Sequence, residues 1–427
     1  MRIAWMCGIS LGAACLVGPA AAQEVAVPER LSMAEAIRLA VERNPALAAA
    51  RQQSAVAAAD ELTAAQRPNP VFAISSEGLS AGQQPAPLAT WDRQELVVQL
   101  EQEVEMGGRR SLRRRSAAAA AAAGRAGYQD VARQVRLDVE HSYYHLVLAR
   151  AEAASATESL AEIDRIIAVN RAKYEQGEIS GGELRRLEVE RLRFTDDAFA
   201  AELATRNARS TLLALIGAAR LDQPVEPLDT LAPPAALPSA ADADALTTRA
   251  MAARPDVAAA RHDQERARAD TALQQALRLP NLSFAGGYRR DFGENGLVFG
   301  VSVPLPLFDR NAGGISRSNA EARLADARLR MVEASVSLEV RQALDAVDVA
   351  RQRVEALERE YLKKSREALD SVAAAYRAGD AELIDFLDAQ RSFREVRRAH
   401  ARALLDLRLS LSQLDAAVGV IPGGPAS

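Results

Sequence analysis

The chain of 427 residues is poor in cysteine, and its only two, Cys7 and Cys15, lie within the first fifteen positions. A mature chain that begins after them has no thiol, which excludes disulfides, cysteine metal sites and thiol nucleophiles. Aromatic residues make up only 4% of the chain although 48% of it is hydrophobic. The apolar content is mostly alanine, leucine and valine, which favours long, closely packed helices over an aromatic-rich enzyme core.

No sign of charge dominates, because 57 acidic and 53 basic side chains leave a net charge of -4. This balance excludes a strongly basic nucleic-acid binder and a polyanionic tail protein. Beyond the N-terminus no segment offers the roughly 20 uninterrupted apolar residues of a transmembrane helix. Residues 1–22 predict a cleaved secretory signal, since Arg2 and a short apolar stretch precede the small-residue site at 20–22. Lipidation at Cys15 is the alternative interpretation.

Enzyme motifs are also missing. We find no Ser–His–Asp order, no nucleophile elbow and no phosphate-binding loop. His141 and His145 are spaced at i and i+4, as metal ligands on one helix face can be. We interpret them as ordinary polar residues, because tight sites usually need three or four ligands. The sequence therefore predicts neither an enzyme nor a cofactor.

The mature chain contains an internal duplication. The matching segments are 44–51 with 254–261, 68–73 with 280–285, 96–98 with 297–299, 174–178 with 376–380, and Gly217 with Gly419. They keep one order, with offsets of 201 to 212 residues. Five prolines mark an irregular connector between the halves. The predicted organisation is a signal over 1–22, a first repeat over 23–221, a connector over 222–242, a second repeat over 243–420 and a tail over 421–427.

Each repeat predicts a helix, two strands, a very long helix, a glycine turn and another long helix. The first helices are predicted over 31–66 and 243–278. The strands are predicted near 71–77, 96–104, 282–290 and 297–305, as hairpins over about 71–104 and 282–307. Their period-two alternation over about ten residues suits a tilted transmembrane strand, although a soluble hairpin with one buried face has the same pattern.

Proline is absent from 88 to 223 and from 307 to 421. Residues 109–175 and 312–378 are therefore each predicted as one helix about 100 Å long. Turns at Gly177 and Gly379 would fold these helices back into antiparallel pairs. Four strands in one chain cannot close a barrel, and an open sheet in lipid would leave unpaired edges. We predict a mainly α protein with a membrane β-barrel: three chains give twelve strands, continued by a long α-helical coiled-coil barrel.

This duplicated plan resembles the TolC-like outer membrane efflux factors, and most closely the outer membrane subunit of cobalt–zinc–cadmium resistance pumps. The resemblance covers the mature chain and is carried by residues 31–36 with Asn44-Pro45, 103–110, 287–291, 303–311 and 387–391. It implies an outer membrane channel that extends into the periplasm. It implies a homotrimer, in contact with outer membrane lipid, that docks with a periplasmic adaptor (membrane fusion) protein and an inner membrane RND pump. The implied cargo is small toxic solutes, with divalent heavy-metal cations as the expected class.

Two other functions fit the same residues. An outer membrane factor can serve drug efflux or type I protein secretion. A periplasmic adaptor is an alternative of a different class, but it should have one helical hairpin inside β-rich flanking domains. The duplication, with strand pairs before each helical hairpin, favours the channel.

The resemblance also implies site residues near the second turn. Asp385 and Asp388 are three residues apart, so both can face the same way, and they match the periplasmic constriction of the family. Rings of carboxylates are a means by which pores favour cations. Tyr376 and Glu183 match the positions whose hydrogen bond holds the inner helix pair closed. The arginine of that lock is matched here by Ala381, so the lock is expected to be weaker or built differently.

Overall fold

The computed structural model describes residues 27–77, 95–234, 237–238, 242–291 and 294–422. The predicted signal peptide and Cys15 lie outside the described residues. The first repeat contains β1 (Arg30–Leu31), α1 (Met33–Arg43), α2 (Pro45–Ala64), β2 (Val71–Glu77), β3 (Glu95–Val104), α3 (Arg109–Glu175) and α4 (Gly181–Leu215). Strand β4 (Glu226–Pro227) lies in the connector, followed by α5 (Ala243–Ala253), α6 (Pro255–Ala276), β5 (Leu282–Asp291), β6 (Glu294–Ser302), α7 (Ala312–Ala356), a π turn (Leu357–Tyr361), α8 (Leu362–Ala378) and α9 (Leu383–Ala417).

The prediction of a single helix at the start of each repeat is wrong, because each repeat begins with two helices. The break falls at Asn44 in the first repeat and at Arg254 in the second, and a proline follows each of them. The residue before a proline is pushed out of the helical region, and both have extended backbones here. The first helix begins at Met33, two residues after the predicted start, and Ser32 caps it, since Ser32 Oγ accepts a hydrogen bond from the Glu35 backbone N–H at 3.3 Å.

The four longer strands form one antiparallel sheet in the order β2-β3-β5-β6. Cross-strand partners share a face, so the register assigns each side chain to one side of the sheet. One face is apolar and carries Phe72, Ile74, Val98, Leu100, Phe284, Tyr288, Leu297, Phe299 and Val301. The apolar side chains of β6 are strongly exposed: Phe299 is 80% accessible. The opposite face is small or polar, as at Glu101, Ala285 and Gly300, which neighbour one another across three strands.

The prediction for β6 is partly wrong. The strand ends at Ser302, five residues before the predicted hairpin end at 307. Pro304 and Pro306 follow, and a proline lacks the N–H that a strand ladder needs. Val303 and Leu305 therefore leave the strand although they continue its alternating pattern.

The long helix of the first repeat is confirmed over its predicted range, since α3 runs unbroken from Arg109 to Glu175. Its counterpart is interrupted, because the π turn separates α7 from α8. Both helices end at a glycine turn, with φ of 80° at Gly177 and 87° at Gly379. Such positive φ angles strain residues that have a Cβ, so both turns favour glycine.

In each repeat the end of one helix stacks on the start of another. The α4 terminus meets α2, where Asn44 Nδ2 donates to the Leu215 carbonyl at 2.8 Å while Asn44 Oδ1 caps α2. The α9 terminus meets α6 in the same way, where Arg254 donates to the Ala417 carbonyl at 3.3 Å. We call these places the first and the second joint. Each repeat thus presents one long helix beside two shorter stacked helices.

The connector is tied to the first repeat. Strand β4 pairs in parallel with β1. The Tyr143 hydroxyl, fully buried on α3, lies 2.8 Å from the Leu31 carbonyl and 2.7 Å from Asp229 Oδ2. It also accepts hydrogen bonds from the backbone N–H groups of Leu228 and Asp229. Among the described helices, none combines the length and the apolar content that crossing a bilayer requires.

Candidate gate at the helical turns

The two helical turns meet at one end of the molecule. An apolar cluster joins the first pair of helices to the second there, with Ile163 and Ile167 of α3, Leu187 and Phe194 of α4, and Phe386 and Leu387 of α9. Burial of such side chains is the main favourable contribution to helix packing. The turn at Gly379 is therefore held against the turn at Gly177.

Tyr376 makes the polar contact between the two pairs. Its hydroxyl donates to Asn170 Oδ1 of α3 at 3.0 Å. Its ring stacks on Phe386 with centroids 5.4 Å apart, and the Lys173 ammonium lies 5.9 Å from the ring centre. A hydrogen bond, a stacked ring and a cation–π contact together fix the position of this side chain.

Glu183 is not the partner of Tyr376 in this structure. Its carboxylate accepts a hydrogen bond from the Ser180 backbone N–H at 2.9 Å, while Ser180 Oγ accepts one from the Glu183 backbone N–H. This reciprocal pair is a capping box that begins α4. Glu183 and Tyr376 nevertheless line the same cavity of about 420 Å³, so the two side chains lie close to each other. Ala381 lines this cavity as well.

Asn170 is the residue that sequence reasoning missed. It is only 3% exposed, and its Nδ2 also donates to the Ile166 carbonyl at 2.9 Å. The signal was present in the sequence, because Asn170 continues the spacing of Ile163 and Ile167 on one face of α3. An asparagine on an apolar helix face needs a partner when it is buried.

Asp385 and Asp388 are both exposed, on the side of α9 opposite to the buried Phe386 and Leu387. The predicted common face is therefore present in the chain. Asp385 Oδ2 accepts a hydrogen bond from the Glu382 backbone N–H at 3.3 Å, which caps α9. Asp388 lies 3.2 Å from Arg391, which partly offsets its charge.

His141 and His145 do not form a metal site in the described structure. His141 is half-buried on α3, while His145 is exposed. Burial lowers the pKa of His141, an effect that the Leu409 backbone opposes. In the parts of the chain that the structure describes, no group of three or more His, Cys, Asp or Glu is placed to bind a metal ion.

The arginines after β3 bind backbone carbonyls at helix ends. Arg110 donates to Ala65 and Arg113 to Ala64, at the end of α2, while Arg109 donates to Leu277 and Leu279 at the end of α6. A cation at a helix C-terminus is favourable, since unpaired carbonyls carry partial negative charge there. These arginines thus connect the sheet end of α3 to both shorter helices.

Comparison with known proteins tests the predicted resemblance to outer membrane efflux factors. The model of the outer membrane efflux protein family matches residues 246–420, most of the second repeat. The cobalt-zinc-cadmium resistance protein CzcC of Cupriavidus metallidurans is 26% identical over 323 residues, which are 75% of this chain and 76% of that protein. These matches confirm the predicted resemblance to the outer membrane efflux proteins.

Further likenesses agree with this assignment. The nickel and cobalt resistance protein CnrC of Cupriavidus metallidurans is 27% identical over 253 residues, 59% of each chain. The crystal structure of the CmeC outer membrane channel of Campylobacter jejuni superposes with a TM-score of 0.77 at 16% identity, covering 92% of this chain and 87% of that one. The predicted TolC-like fold, outer membrane location with a periplasmic extension, and efflux role are confirmed. The family consists of transport channels and not of enzymes, as expected.

Proposed function

We propose that three copies of this chain form an outer membrane channel that exports divalent heavy-metal cations in a tripartite pump. The cargo is suggested by the relatives, two of which are named for resistance to cobalt, zinc, cadmium or nickel. The observation that carries the assembly is the pair of open sheet edges at β2 and β6. An edge strand with unpaired backbone groups requires a partner in lipid.

The sheet supports closure by further copies. Strands β2 and β6 lie at the two opposite edges of the sheet, so β6 of one chain can pair with β2 of the next. Three four-stranded sheets make twelve strands, an even number that leaves room for an aqueous channel. The apolar face, with Phe299 and Leu297 exposed, would then meet lipid, and the face with Glu101 and Gly300 would line the channel.

The helices support the same assembly through the duplication. Leu405 of α9 is 4% exposed because it packs on Leu148 of α3. The matching residue of α4, 202 positions earlier, is Leu203, which is 59% exposed. Near the α7 position that matches Leu148, Val349 is 65% exposed. The contact between α3 and α9 inside the chain thus has an exposed equivalent on α7 and α4, which the next chain would cover.

The site at the turns supplies the cation preference. Asp385 and Asp388 from three chains would form two rings, six carboxylates in all, around the periplasmic opening. Like charges at short range raise the cost of ionising every carboxylate unless a cation lies among them. Tyr376 would hold this opening closed through its contact with the outer helix pair, and Glu183, in the same cavity, would act as the alternative partner.

The remaining partners follow from the same proposal. The periplasmic end would dock with an adaptor protein, and the adaptor with an inner membrane RND pump. The chain would bring no resident metal or cofactor, since the transported cation is its cargo.

Planar-bilayer recording of the purified trimer tests this function. We expect Zn²⁺ or Co²⁺ on the periplasmic side to block current at concentrations on the order of micromolar to millimolar. Asp385→Asn with Asp388→Asn should abolish the block and reduce cation preference, because asparagine keeps the cap of α9 but removes the charge. Glu367→Gln with Asp370→Asn is the matched control, an exposed acidic pair at the same spacing on α8. A double variant of the site that keeps the block would reject the carboxylate rings, and a monomer without current would reject the channel.

A further inference from the structure

Among the described residues, the π turn at Leu357–Tyr361 occurs in the second repeat and has no counterpart in the first. The Leu362 backbone N–H donates to the Leu357 carbonyl, a five-residue step in place of the four-residue step of an α-helix. The matching part of α3, residues 154–159, is regular helix. π turns are rare, and they locally weaken and bend the helix that contains them.

Packing changes at the same place. On α7 the residues buried in the core recur at almost every turn up to Val354, among them Val336, Val340, Leu344 and Val347. From Leu357 to Ala378 no residue is fully buried in the single chain, and the apolar side chains of α8 pack against the cluster at the turns while remaining partly exposed. On α3, by contrast, burial continues towards the turn, through Ile163 and Ile167. A helix that is anchored on one side of a weak turn and loosely packed on the other bends most easily at that turn.

One hydrogen bond joins the side chains of the π turn to α9 in the described residues. Glu358 Oε1 lies 3.0 Å from His400 Nε2 of α9. On the α7 side of the turn, Arg353 donates a hydrogen bond to Asp406 of α9 at 2.8 Å. On the α8 side of the turn, in the described residues, no hydrogen bond joins α8 to α9. The ion pairs of α8 are formed within the helix, as at Arg366 with Asp370, or with the π turn. Among the described residues, the Glu358–His400 contact is therefore the last side-chain hydrogen bond to α9 before the gate, followed only by the Arg366 guanidinium of α8, which lies 5.4 Å from the centre of the Phe393 ring of α9.

We propose that the π turn is the hinge on which α8 moves to open the gate, and that the Glu358–His400 hydrogen bond holds this hinge in the closed angle. The inference rests on the proposed channel function and adds the place and the restraint of the movement. The helix above the turn stays with the core, while the segment that carries Tyr376 swings. Opening then breaks the hydrogen bond at the hinge and the one at Asn170, and it moves Leu369, Val372 and Ala373 relative to the apolar cluster at the turns, while the core around α7 stays packed.

Electron spin resonance distances across the turn test the hinge without reference to current. Arg341 on α7 and Lys363 on α8 are exposed on either side of it. The mature chain has no cysteine of its own, so cysteines at these positions carry the only labels. Labelled chains are diluted into unlabelled trimers, so that distances within one chain dominate.

His400→Ala and Glu358→Gln should each broaden the distance distribution and raise the ratio of open to closed channels on the order of tenfold, the value of one charged hydrogen bond. Arg353→Ala is the matched control, because it removes a link of the same kind above the turn, and it should leave the distribution unchanged. Deletion of Arg359, which lets the π turn close into regular helix, should narrow the distance distribution.

Unchanged distances in both His400→Ala and Glu358→Gln would overturn the hinge, as would equal broadening in Arg353→Ala. The two proposals fail separately. Broadened distances in a protein that passes no current would reject the channel and keep the hinge, whereas altered currents with unchanged distances would do the reverse.

Discussion

The two repeats share one plan but hold it together by different chemistry. At the first joint a neutral side chain, Asn44, connects two stacked helices. At the second joint Arg254, 3% exposed, bonds Asp256 at 2.6 Å and Glu339 at 2.5 Å as well as the Ala417 carbonyl. Arg133 of α3 also donates to the Ala416 carbonyl there, so the second joint is tied to both repeats.

The faces of α4 and α9 differ in the same manner. Inside the chain, Arg394 and Arg398 of α9 add ion pairs with Asp197 of α4 to the apolar contacts between these helices. The matching positions of α4 are Leu192 and Asp196, and Leu192 is 61% exposed. Within a chain, connectivity already fixes the register, so charged pairs can take the place of part of the apolar contact. A face that must attract another chain gains more from apolar burial.

The joints are expected to give the largest difference between the repeats. Arg254→Ala should lower the free energy of unfolding by about 3 kcal/mol, because Asp256 and Glu339 lose their buried partner. Asn44→Ala should cost about 1 kcal/mol, the value of a helix cap. Urea unfolding of the detergent-solubilised protein, followed by circular dichroism, measures both. Equal losses would mean that the ionic joint is no stronger than the neutral one.

The glycines beside the joints come next. A Cβ on Gly217 would lie 2.6 Å from the Arg43 carbonyl oxygen, whereas one on Gly419 would lie 3.0 Å from the Ala253 carbonyl carbon. Both have positive φ. We expect Gly217→Ala to cost about 2–3 kcal/mol and Gly419→Ala about 1–2 kcal/mol, from overpacking and backbone strain. Gly127→Ala, in open space within α3, is the control and should be neutral or stabilising in the same unfolding experiment.

The contact between the repeats at the gate can be assigned by conductance. Tyr376→Phe and Asn170→Ala should each increase the conductance of the trimer, and the double variant should resemble either one, since both remove the same hydrogen bond. Glu183→Gln, which keeps the capping geometry, should change conductance less. The reverse order, with Glu183→Gln opening the channel and Asn170→Ala silent, would identify Glu183 as the closed-state partner.

The smallest expected effect concerns pH at another contact between the repeats. Burial raises the pKa of Asp415 on α9, and nearby Glu140 of α3 adds to it, although Arg136 and Arg249 oppose the shift. A carboxyl whose pKa is raised by folding favours the folded state below its ordinary pKa and loses this contribution as pH rises through the raised value. Asp415→Asn should therefore raise the thermal midpoint at pH 7 by a few degrees at most, and the gain should vanish near pH 3.

Asp256 gives the opposite sign and serves as the control. Burial is the largest single influence and raises its pKa, but the hydrogen bond and the charge of Arg254, the charge of Arg133 and the Val257 backbone N–H together leave the pKa below the ordinary value. Its contribution is present above the ordinary pKa and is lost on acidification. Asp256→Asn should accordingly lower the midpoint at pH 7, and the loss should shrink as pH falls. Shifts of equal sign in the two variants would contradict the assignment.

Much of the fold could be predicted because its signals are local. Period-two alternation located the strands, the lack of proline gave the full length of α3, and Gly177 and Gly379 gave the turns. The internal duplication indicated that both halves would contain the same series of helices and strands. These features depend on a residue and its near neighbours along the chain, so they survive in a single sequence.

What the tertiary structure decided depends on which helix faces which. The Glu358–His400 contact at the π turn and the use of Asn170 by Tyr376 join segments 42 and 206 residues apart. The breaks at Asn44 and Arg254 had a local signal, the proline that follows each of them. A buried amide is read from sequence as a misplaced polar residue until its partner across the interface is known. The sequence by itself determined the elements, their order and the acidic face of α9. Only packing decided the partners, because burial makes a polar side chain bond whatever lies opposite to it.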